Sequence, residues 1–396
     1  MKSLSDYFVG TASKYLSAVD ATPKSNQHEI GSNKFTAILG HPGSDKRHFD
    51  ATFVYFKDDV DDAEVCSGAV TYYDTRLNQP KRSAEFRLYY KTNVVTEQFQ
   101  AGDFCLIAAQ KNGDLMIAIA PSNSDHERRL RYLFDIEGAQ QEWIVGTQVD
   151  TKSLDLATSS ILSALGLDAI EPVDVLLGEL IDKFGVTFPK TSVFSEFARK
   201  TIPLKLDAAN TPDLALEEWM KHEELLFRTM ERQIVGERLI KPFESVESFI
   251  SFSLSVQNRR KSRVGHALEN HLEAVFKASS VTYQRGAKTE GNSKPDFLFP
   301  SADKYREATR HATGLHMLAA KSTCKDRWRQ ILAEAEKIPV KHLFTLETAI
   351  SVGQTTEMIS HSVQLVVPPS VGKTYLPTQC DQLISLEQFI GVLRAA

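Results

Sequence analysis

The sequence predicts an N-terminal β domain followed by an α/β domain. Short alternating or aromatic-rich runs, separated by Gly, Asp, Asn and Pro, dominate the first part, and their spacing is typical of a small barrel or sandwich. From about residue 191 onward, short apolar runs alternate with helical patterns, which is typical of a layered α/β sheet. At 396 residues the chain is long enough for two domains with sizeable cores.

Six runs in the first part predict β-strands, and we therefore place the β domain at residues 1–165. They read KFTAILG, ATFVYF, GAVTYYDTR, AEFRLYY, FCLIAAQ and LMIAIAP. Residues 166–190 include the helical run VDVLLGELIDKFG and no Gly/Ser-rich or Pro-rich tract. They predict a helical connection instead of a flexible linker.

The third segment, residues 191–396, alternates helices with strands. LEEWMKHEELLFRTMERQIV and SRVGHALENHLEAVFKAS carry apolar residues at helical spacing, with Leu268, Leu272 and Val275 on one face. The runs PDFLFP, HMLAA, VKHLFTL and VQLVVPP predict buried strands, and DRWRQILAEAEKI predicts a helix between the second and third of them.

The composition, 42% hydrophobic and 24% charged, is that of a soluble globular protein. No run is apolar enough to cross a bilayer and no secretory signal pattern follows Met1, so we expect a cytoplasmic protein. The four cysteines are isolated, which favours neither a disulfide framework nor a zinc site.

Charge alone does not decide whether DNA is a partner. The formal net charge of −5 argues against nucleic acid if the chain is taken as a whole. Basic clusters nevertheless occur in NRRKSR, HERRLR and KDRWR, and DNA responds to the local face presented to it.

A set of carboxylates and one lysine suggests phosphodiester chemistry. Asp296 opens the PDFLFP run and Lys321 ends HMLAAK, so both are predicted at one sheet edge, with Glu334 on the following helix and Glu269 on an earlier one. Convergent carboxylates hold Mg²⁺ against a scissile phosphate, and a lysine offsets the charge developing there. The alternative is charged decoration at strand ends.

Lys325, Asp326 and Arg327 follow directly. Lysine and arginine read guanine O6 and N7 in the major groove, and a carboxylate accepts from cytosine N4. The three residues therefore predict a base-reading cluster beside the chemistry. The alternative is an ordinary charged helix start with Asp326 near an N-cap.

Long blocks between residues 255 and 370 closely resemble the type IIE restriction endonucleases of the EcoRII type. They are SVQNRRKSRVGHALENHLE, TEGNSKPDFLFPSADKY, MLAAKSTCKDRWRQILAEAEKI, HLFTLE and VQLVVPPS. The resemblance implies a restriction-endonuclease-like PD-(D/E)xK core that works as a homodimer with Mg²⁺. It further implies cleavage of double-stranded DNA at CC(A/T)GG, before the first cytosine, and a cognate cytosine methyltransferase.

The same resemblance implies roles for individual residues. Asp296 and Lys321 match the catalytic pair, Glu334 the displaced acidic ligand, Glu269 a further acidic residue of the metal site, and Tyr305 a tyrosine near the active site. The base-reading trio matches the family's readers of the C·G pairs.

The N-terminal part resembles the family's effector-binding domain, a β pseudobarrel that grips a second copy of the site with two arms. SAVDATPKSNQHEIG and TYYDTRLNQPKRSAEFRLYY carry this resemblance. It implies DNA contacts by His28 in the first arm and, in the second, by Arg76, Lys81, Arg82, Glu85 and Arg87. The alternative is a β-hairpin with a charged exposed face.

Our leading hypothesis is a DNA-allosteric endonuclease whose N-terminal domain masks the catalytic cleft until it binds a second site. A sequence-specific DNA-binding regulator with an inactive nuclease core is the first alternative. A repair or transposon nuclease that shares only the core fold is the second.

Overall fold

The chain divides into two units, residues 1–169 and 170–396, and each is described by itself. The computed structural model describes residues 3–21, 28–57, 63–79, 81–138, 142–150, 154–167, 174–309 and 313–395, without the side chains of residues 160, 164, 174, 175, 325 and 326. Among these residues no helix is both long and apolar enough to span a membrane.

The first unit contains mainly strands. They are β1 Phe8–Tyr15, β2 Glu29–Gly31, β3 Arg47–Tyr55, β4 Glu64–Asp74, β5 Phe86–Tyr90, β6 Phe104–Gln110, β7 Leu115–Ala120 and β8 Ile144–Gly146. Its α-helices are α1 Ala18–Ala21, α2 Thr36–Leu39, α3 Asp125–Leu133 and α4 Leu156–Ala164.

In the described part of this unit the strands form one sheet in the order β2-β5-β4-β3-β7-β6-β1-β8. Strands β6 and β7 are buried on both faces: Ile107 and Ile117 face the aromatic core, whereas Leu106 and Ala118 face α3 and α4. This double burial explains why FCLIAAQ and LMIAIAP are continuous apolar runs.

The two edges of this sheet approach one another. Phe35, just after β2, packs edge-on against Trp143, just before β8, with ring centroids 4.8 Å apart. Lys34 Nζ donates a hydrogen bond of 2.9 Å to the Trp143 carbonyl. The sheet therefore curls into the incompletely closed barrel expected from the sequence.

One predicted strand, KFTAILG, is wrong. Asn33–Phe35 is a 3-10 helix and Thr36–Leu39 is α2. The Ser32 side chain caps the 3-10 helix by accepting from Lys34 N, and Gly40 ends α2 with a φ of 73°. Phe35 and Leu39, four residues apart, share the buried face, so the apolar spacing is helical and not alternating.

The second unit contains long helices and a smaller sheet. Its helices are α5 Asp174–Phe184, α6 Thr191–Thr201, α7 Pro212–Leu239, α8 Val246–Ala278, α9 Ala302–Glu307, α10 Val352–Ser360, α11 Pro369–Gly372, α12 Pro377–Cys380 and α13 Leu386–Ala395. Its strands are β9 Gln284–Arg285, β10 Phe297–Phe299, β11 His316–Lys321, β12 Lys341–Thr345, β13 Val363–Val366 and β14 Leu383–Ile384. The predicted connection at 166–190 includes α5, whose Leu180 packs with Phe194 and Phe227 of this unit.

Within the described residues the sheet order is β14-β13-β12-β11-β10-β9. Strands β11 to β14 are mutually parallel, whereas β9, β10 and β11 pair antiparallel. All four predicted strands are confirmed as β10 to β13. This mixed sheet is the α/β arrangement that the sequence predicts.

Side-chain alternation divides this sheet into two packed faces. Phe297 and Phe299 point toward α8, where Phe276 contacts both rings at 5.2 Å between centroids. Leu298, Met317, Ala319 and Leu343 point to the other face and pack with the fully buried Trp328. Lys321 and Lys341 follow the same alternation and lie on the Trp328 face.

The buried His342 on β12 predicts acid sensitivity. Burial lowers the pKa of His342 to about 4, with a further lowering by His316. Because the unfolded chain keeps a pKa near 6.5, it binds more protons than the folded state between these values. Stability from this group is fully present above about pH 6.5 and is lost as the pH falls through about 4, by up to about 3 kcal/mol.

Chemical denaturation of the wild type and of His342→Phe at pH 7.5 and pH 5 measures this effect. We expect the variant to lose less stability on acidification than the wild type. His266→Phe, which changes an exposed histidine, is the matched control. Equal pH dependence in all three proteins would refute the assignment.

Candidate active site

Strand geometry brings Asp296 and Lys321 together. Asp296 directly precedes β10 and Lys321 is the last residue of β11. Because these strands run antiparallel, with Phe297 opposite Leu318, the start of one and the end of the other lie at the same sheet edge. This is the placement predicted from the sequence.

The two side chains are in direct contact. Lys321 Nζ lies 2.9 Å from Asp296 Oδ2, and the same oxygen accepts a 2.7 Å hydrogen bond from Ala320 N. The Lys321 and Asp296 side chains are only 21% and 18% exposed. The carboxylate is therefore oriented by strand β11 itself, and partial burial strengthens its attraction to the ammonium group.

Glu334 faces this pair. Burial raises the pKa of the Glu334 carboxyl, the negative charge of Asp296 raises it further, and Lys321 and Lys341 act in the opposite sense. Its Oε2 atom is buried without a hydrogen-bond partner among the described residues. A second acidic group is thus held close to Asp296 with an unsatisfied oxygen.

The predicted helix forms only in part, as a 3-10 helix, and it does not include Glu334. The chain forms a 3-10 helix at Lys325–Ala333, and Glu334 is its C-cap residue with extended backbone. Ala335 then adopts the left-handed conformation with a φ of 47°, which ends helical geometry. The reason is tertiary: side chains from other elements bind the backbone of residues 334–337.

The donor set fits a hard cation. Asp296 and Glu334 supply carboxylate oxygens, the ligand type that Mg²⁺ prefers, and Mg²⁺ commonly takes only one or two carboxylates and keeps waters and phosphate oxygens. The unpartnered Glu334 Oε2 is the observation that favours this fit. Within the described residues no group of three or more His, Cys, Asp or Glu side chains is arranged to hold a metal.

Glu269 is not brought into such a group. Its Oε2 atom accepts a 2.8 Å hydrogen bond from Arg285, whose other terminal nitrogen contacts Glu273 and Asn270, each at 2.9 Å. Arg285 thus ties β9 to helix α8. The next residue, Gly286, donates a backbone hydrogen bond of 3.0 Å to the Asp296 carbonyl. The ion pairs of Arg285 therefore lie next to the backbone contact that holds Asp296.

Tyr305 is buried on α9 and donates a 2.5 Å hydrogen bond to Glu290 Oε2. Its oxygen also accepts from Lys337 N at 3.2 Å. Burial and the Glu290 contact raise the pKa of this phenol. Through its contact with Lys337 N, Tyr305 supports the segment that follows Glu334.

The predicted base-reading trio opens the 3-10 helix Lys325–Ala333. Arg327 is exposed, whereas the Lys325 and Asp326 side chains lie outside the described residues. The helix is anchored by the fully buried Trp328, and the Cys324 amide before it donates to Glu347 at 3.3 Å. The trio thus stands on a fixed element immediately after β11.

The predicted N-terminal residues form a second charged cluster. Glu85 Oε1 accepts from Arg87 Nη2 at 2.6 Å, and Glu85 Oε2 contacts Arg76. Arg87 Nη1 also lies 2.6 Å from Glu29. The Arg87 ion pair lowers the pKa of Glu85.

The remaining N-terminal residues lie around this cluster or at the adjacent strand. Arg82 is exposed and bonds Gln79 at 3.1 Å, and Lys81 is exposed beside it. His28 precedes β2 with a φ of 61°, and its ring lies 3.2 Å from the Thr92 hydroxyl. The structure therefore groups Arg76, Glu85 and Arg87 most tightly.

Sequence reasoning missed Arg285 and Lys341. Arg285 lies in YQRG, which matches no catalytic motif. Lys341 opens the apolar run KHLFTL, and a lysine at the start of a buried strand is the signal that could have identified it.

Part of the chain is similar to known proteins. A family model described as EcoRII C terminal matches residues 227–390. The type II restriction enzyme EcoRII of Escherichia coli is 46% identical over 183 residues, which cover 46% of this chain and 45% of that enzyme. The match thus spans less than half of the length of this curated relative.

Several solved structures also match, and two of them are the following. Metal-depleted Ecl18kI in complex with uncleaved, modified DNA is 15% identical, with a TM-score of 0.43 over 56% of this chain and 83% of that one. The restriction endonuclease PspGI–substrate DNA complex is 14% identical, with a TM-score of 0.40 over 58% and 95%.

The family match contains Asp296, Lys321 and Glu334 as well as the six-stranded sheet that positions them. The resemblance found in the sequence is therefore confirmed for this region. Residues 227–390 match the EcoRII C-terminal family model and contain a mixed α/β sheet.

Proposed function

We propose that the protein is a type II site-specific deoxyribonuclease. It would cleave double-stranded DNA at CC(A/T)GG as a homodimer with Mg²⁺. The observation that carries the proposal is the contact of Lys321 with Asp296 beside Glu334, whose Oε2 atom has no hydrogen-bond partner in the described part of the chain. This arrangement lies within residues 227–390, which match the EcoRII C-terminal family model.

The chain's own groups account for orientation and charge. Ala320 N and Lys321 Nζ hold Asp296 Oδ2 from two directions, so this carboxylate is preorganised. The Lys321 ammonium supplies a positive charge where negative charge develops on the scissile phosphate, and it can orient the attacking water by a hydrogen bond. Bound Mg²⁺ would supply Lewis-acid polarisation of a phosphoryl oxygen.

Base recognition would come from Lys325, Asp326 and Arg327. Lysine and arginine match guanine acceptors in the major groove, and aspartate matches the cytosine amino group. Because the trio follows Lys321 by only a few residues on an anchored 3-10 helix, recognition and chemistry are coupled by a short rigid segment. This coupling favours sequence-specific cleavage over nonspecific hydrolysis.

The N-terminal unit would bind a second copy of the site and control cleavage, as in a type IIE enzyme. The cluster of Arg76, Glu85 and Arg87 supports this proposal, because an arginine held by a glutamate is oriented for base contact. His28, Lys81 and Arg82 would add contacts to the phosphates. A nuclease of this kind would act in the cytoplasm beside a protective cytosine methyltransferase.

Glu85→Ala tests the role of this cluster. The change releases Arg76 from its ion pair, leaves Arg87 paired with Glu29 alone, and removes an acceptor for cytosine. We expect the preference of the N-terminal unit for a CC(A/T)GG duplex over a scrambled duplex to fall about 10-fold, which is the scale of one lost bidentate contact. Stimulation of cleavage by an uncleavable second duplex should fall in parallel.

Glu142→Ala is the matched control, since the Glu142 side chain is 82% exposed and its ion pair with Lys34 is long, at 3.5 Å. If Glu85→Ala preferred the specific duplex as strongly as the wild type does, this result would contradict the role of the cluster.

The proposed activity is tested with two short duplexes, one carrying CC(A/T)GG and one with the same bases scrambled. We expect Mg²⁺-dependent cleavage of the first duplex only, and none with EDTA. Specific binding without cleavage would replace the nuclease by a DNA-binding regulator with an inactive core.

A further inference from the structure

Side chains from other elements bind five backbone groups of residues 334–337. The amides of Ala335, Glu336 and Lys337 donate to Thr289 Oγ1, Glu290 Oε2 and Tyr305 Oη, at 3.3, 3.2 and 3.2 Å. The carbonyls of Glu334 and Ala335 accept from Lys341 Nζ at 2.6 and 2.5 Å. Such binding specifies one conformation of this irregular stretch.

Lys341 is an unusual member of this set. It is only 6% exposed, although lysine is almost never fully buried without a partner. Its ammonium contacts both carbonyls that flank the left-handed Ala335, whose φ is 47°. This conformation is energetically unfavourable for any residue other than glycine, so the surrounding contacts must maintain it at Ala335.

Lys341 is also fixed from its own side. Its backbone amide donates to the Ser362 carbonyl at 2.9 Å, and Lys341 lies opposite Val363 in the parallel pairing of β12 with β13. The ammonium therefore extends from the sheet itself, on the face that carries Leu343 and Trp328. A rigid strand thus sets the position of the Glu334 backbone.

We propose that Lys341 is a positioning residue that holds Glu334 in place beside Asp296 and Lys321. This inference rests on the proposed function and adds a residue to it. Without the ammonium, the Glu334 carbonyl loses its side-chain donor and the Ala335 carbonyl keeps only the amide of Ile338. The turn at Ala335 is then less well supported, so the Glu334 carboxylate leaves the position from which it would bind a divalent cation. Lys341 touches neither DNA nor metal in this account.

The first test uses Lys341→Met in the full-length protein. We expect the Mg²⁺ concentration for half-maximal cleavage to rise, and the maximal rate to fall, by about 10- to 100-fold, the range for supports of metal ligands. DNA binding without metal should stay at the wild-type level. Lys341→Arg keeps a cationic donor and should restore part of the loss, which a change of general stability would not do.

A second readout does not depend on activity. Mn²⁺ binding to the full chain, followed by the electron paramagnetic resonance signal of free Mn²⁺, should weaken in Lys341→Met and at least as much in Glu334→Gln. Weak binding in Glu334→Gln together with wild-type binding in Lys341→Met would overturn the inference alone. Wild-type binding in Glu334→Gln, or no binding by the wild type, would instead overturn the ligand role of Glu334.

His342→Ala is the matched control. His342 is the next residue of β12, but its side chain packs on the opposite face against Phe389, with ring centroids 4.7 Å apart. It should lower the melting temperature at neutral pH without changing the Mg²⁺ requirement.

If Lys341→Met does not fold, Thr289→Val provides a second test. This change removes the hydroxyl oxygen that accepts from the Ala335 amide, and it must raise the Mg²⁺ requirement. An unchanged requirement there would also refute the inference.

Discussion

Replacement of Asp296 by alanine is expected to abolish DNA cleavage while leaving sequence-specific binding intact. The change removes the oxygen that accepts from both Ala320 N and Lys321 Nζ and, in the proposed function, a metal ligand. We expect the single-turnover rate to fall at least about 1,000-fold, the upper scale for one electrostatic group at a reacting centre. Gel-shift titration in EDTA measures binding separately.

Asp303→Ala is the matched control for this change. Asp303 lies on α9, its side chain is 77% exposed, and it pairs with Arg306 on the same helix turn. Its removal should leave both rate and binding unchanged. Cleavage by Asp296→Ala near the wild-type rate would remove Asp296 from the active site.

Replacement of Lys321 by methionine has the second-largest expected effect. Methionine keeps the length and apolar stem of the side chain but removes the positive charge next to Asp296. We expect the cleavage rate to fall about 100- to 1,000-fold, because the charge that develops on the phosphate loses its preorganised partner. The measurement is the single-turnover rate at saturating Mg²⁺.

The double variant Asp296→Ala/Lys321→Met adds a further criterion. If the two groups act as one unit, it should be little slower than Asp296→Ala alone. Lys304→Met, at an exposed lysine of α9, should cleave at the wild-type rate. Strictly multiplicative losses in the double variant would show that the two groups act independently.

The Asp296–Lys321 pair could be predicted because it depends on a simple rule. Both residues flank short apolar runs, and antiparallel pairing of such runs brings the start of one strand beside the end of the other. The strands themselves are marked by burial on both faces, which makes PDFLFP and HMLAA continuous apolar runs. Local patterns suffice for such elements.

Glu334 and Glu269 show where local patterns fail. The segment DRWRQILAEAEKI has a good helical sequence, but Lys341, Thr289, Glu290 and Tyr305 bind its backbone after Ala333 and prevent the helix from continuing. Thr289, Glu290 and Tyr305 lie at least 32 residues before the backbone groups that they bind, and Lys341 lies on strand β12. No periodicity of the local sequence predicts their effect.

Glu269 was predicted as an acidic site residue, but an ion pair decides its actual orientation. Arg285 binds both Glu269 and Glu273 on successive turns of α8. The partner of a surface carboxylate depends on which strand packs against its helix. That information is tertiary. The role of Glu269 in the metal site stays a prediction.

A Mg²⁺-dependent digest of two matched plasmids, one with several CC(A/T)GG sites and one with none, followed by sequencing of the ends, decides whether the protein is a site-specific nuclease. We expect discrete cuts before the first cytosine in the first plasmid only, and their complete loss in Asp296→Ala. Scattered cuts in both plasmids, or intact DNA in both with wild-type protein, would contradict a site-specific nuclease.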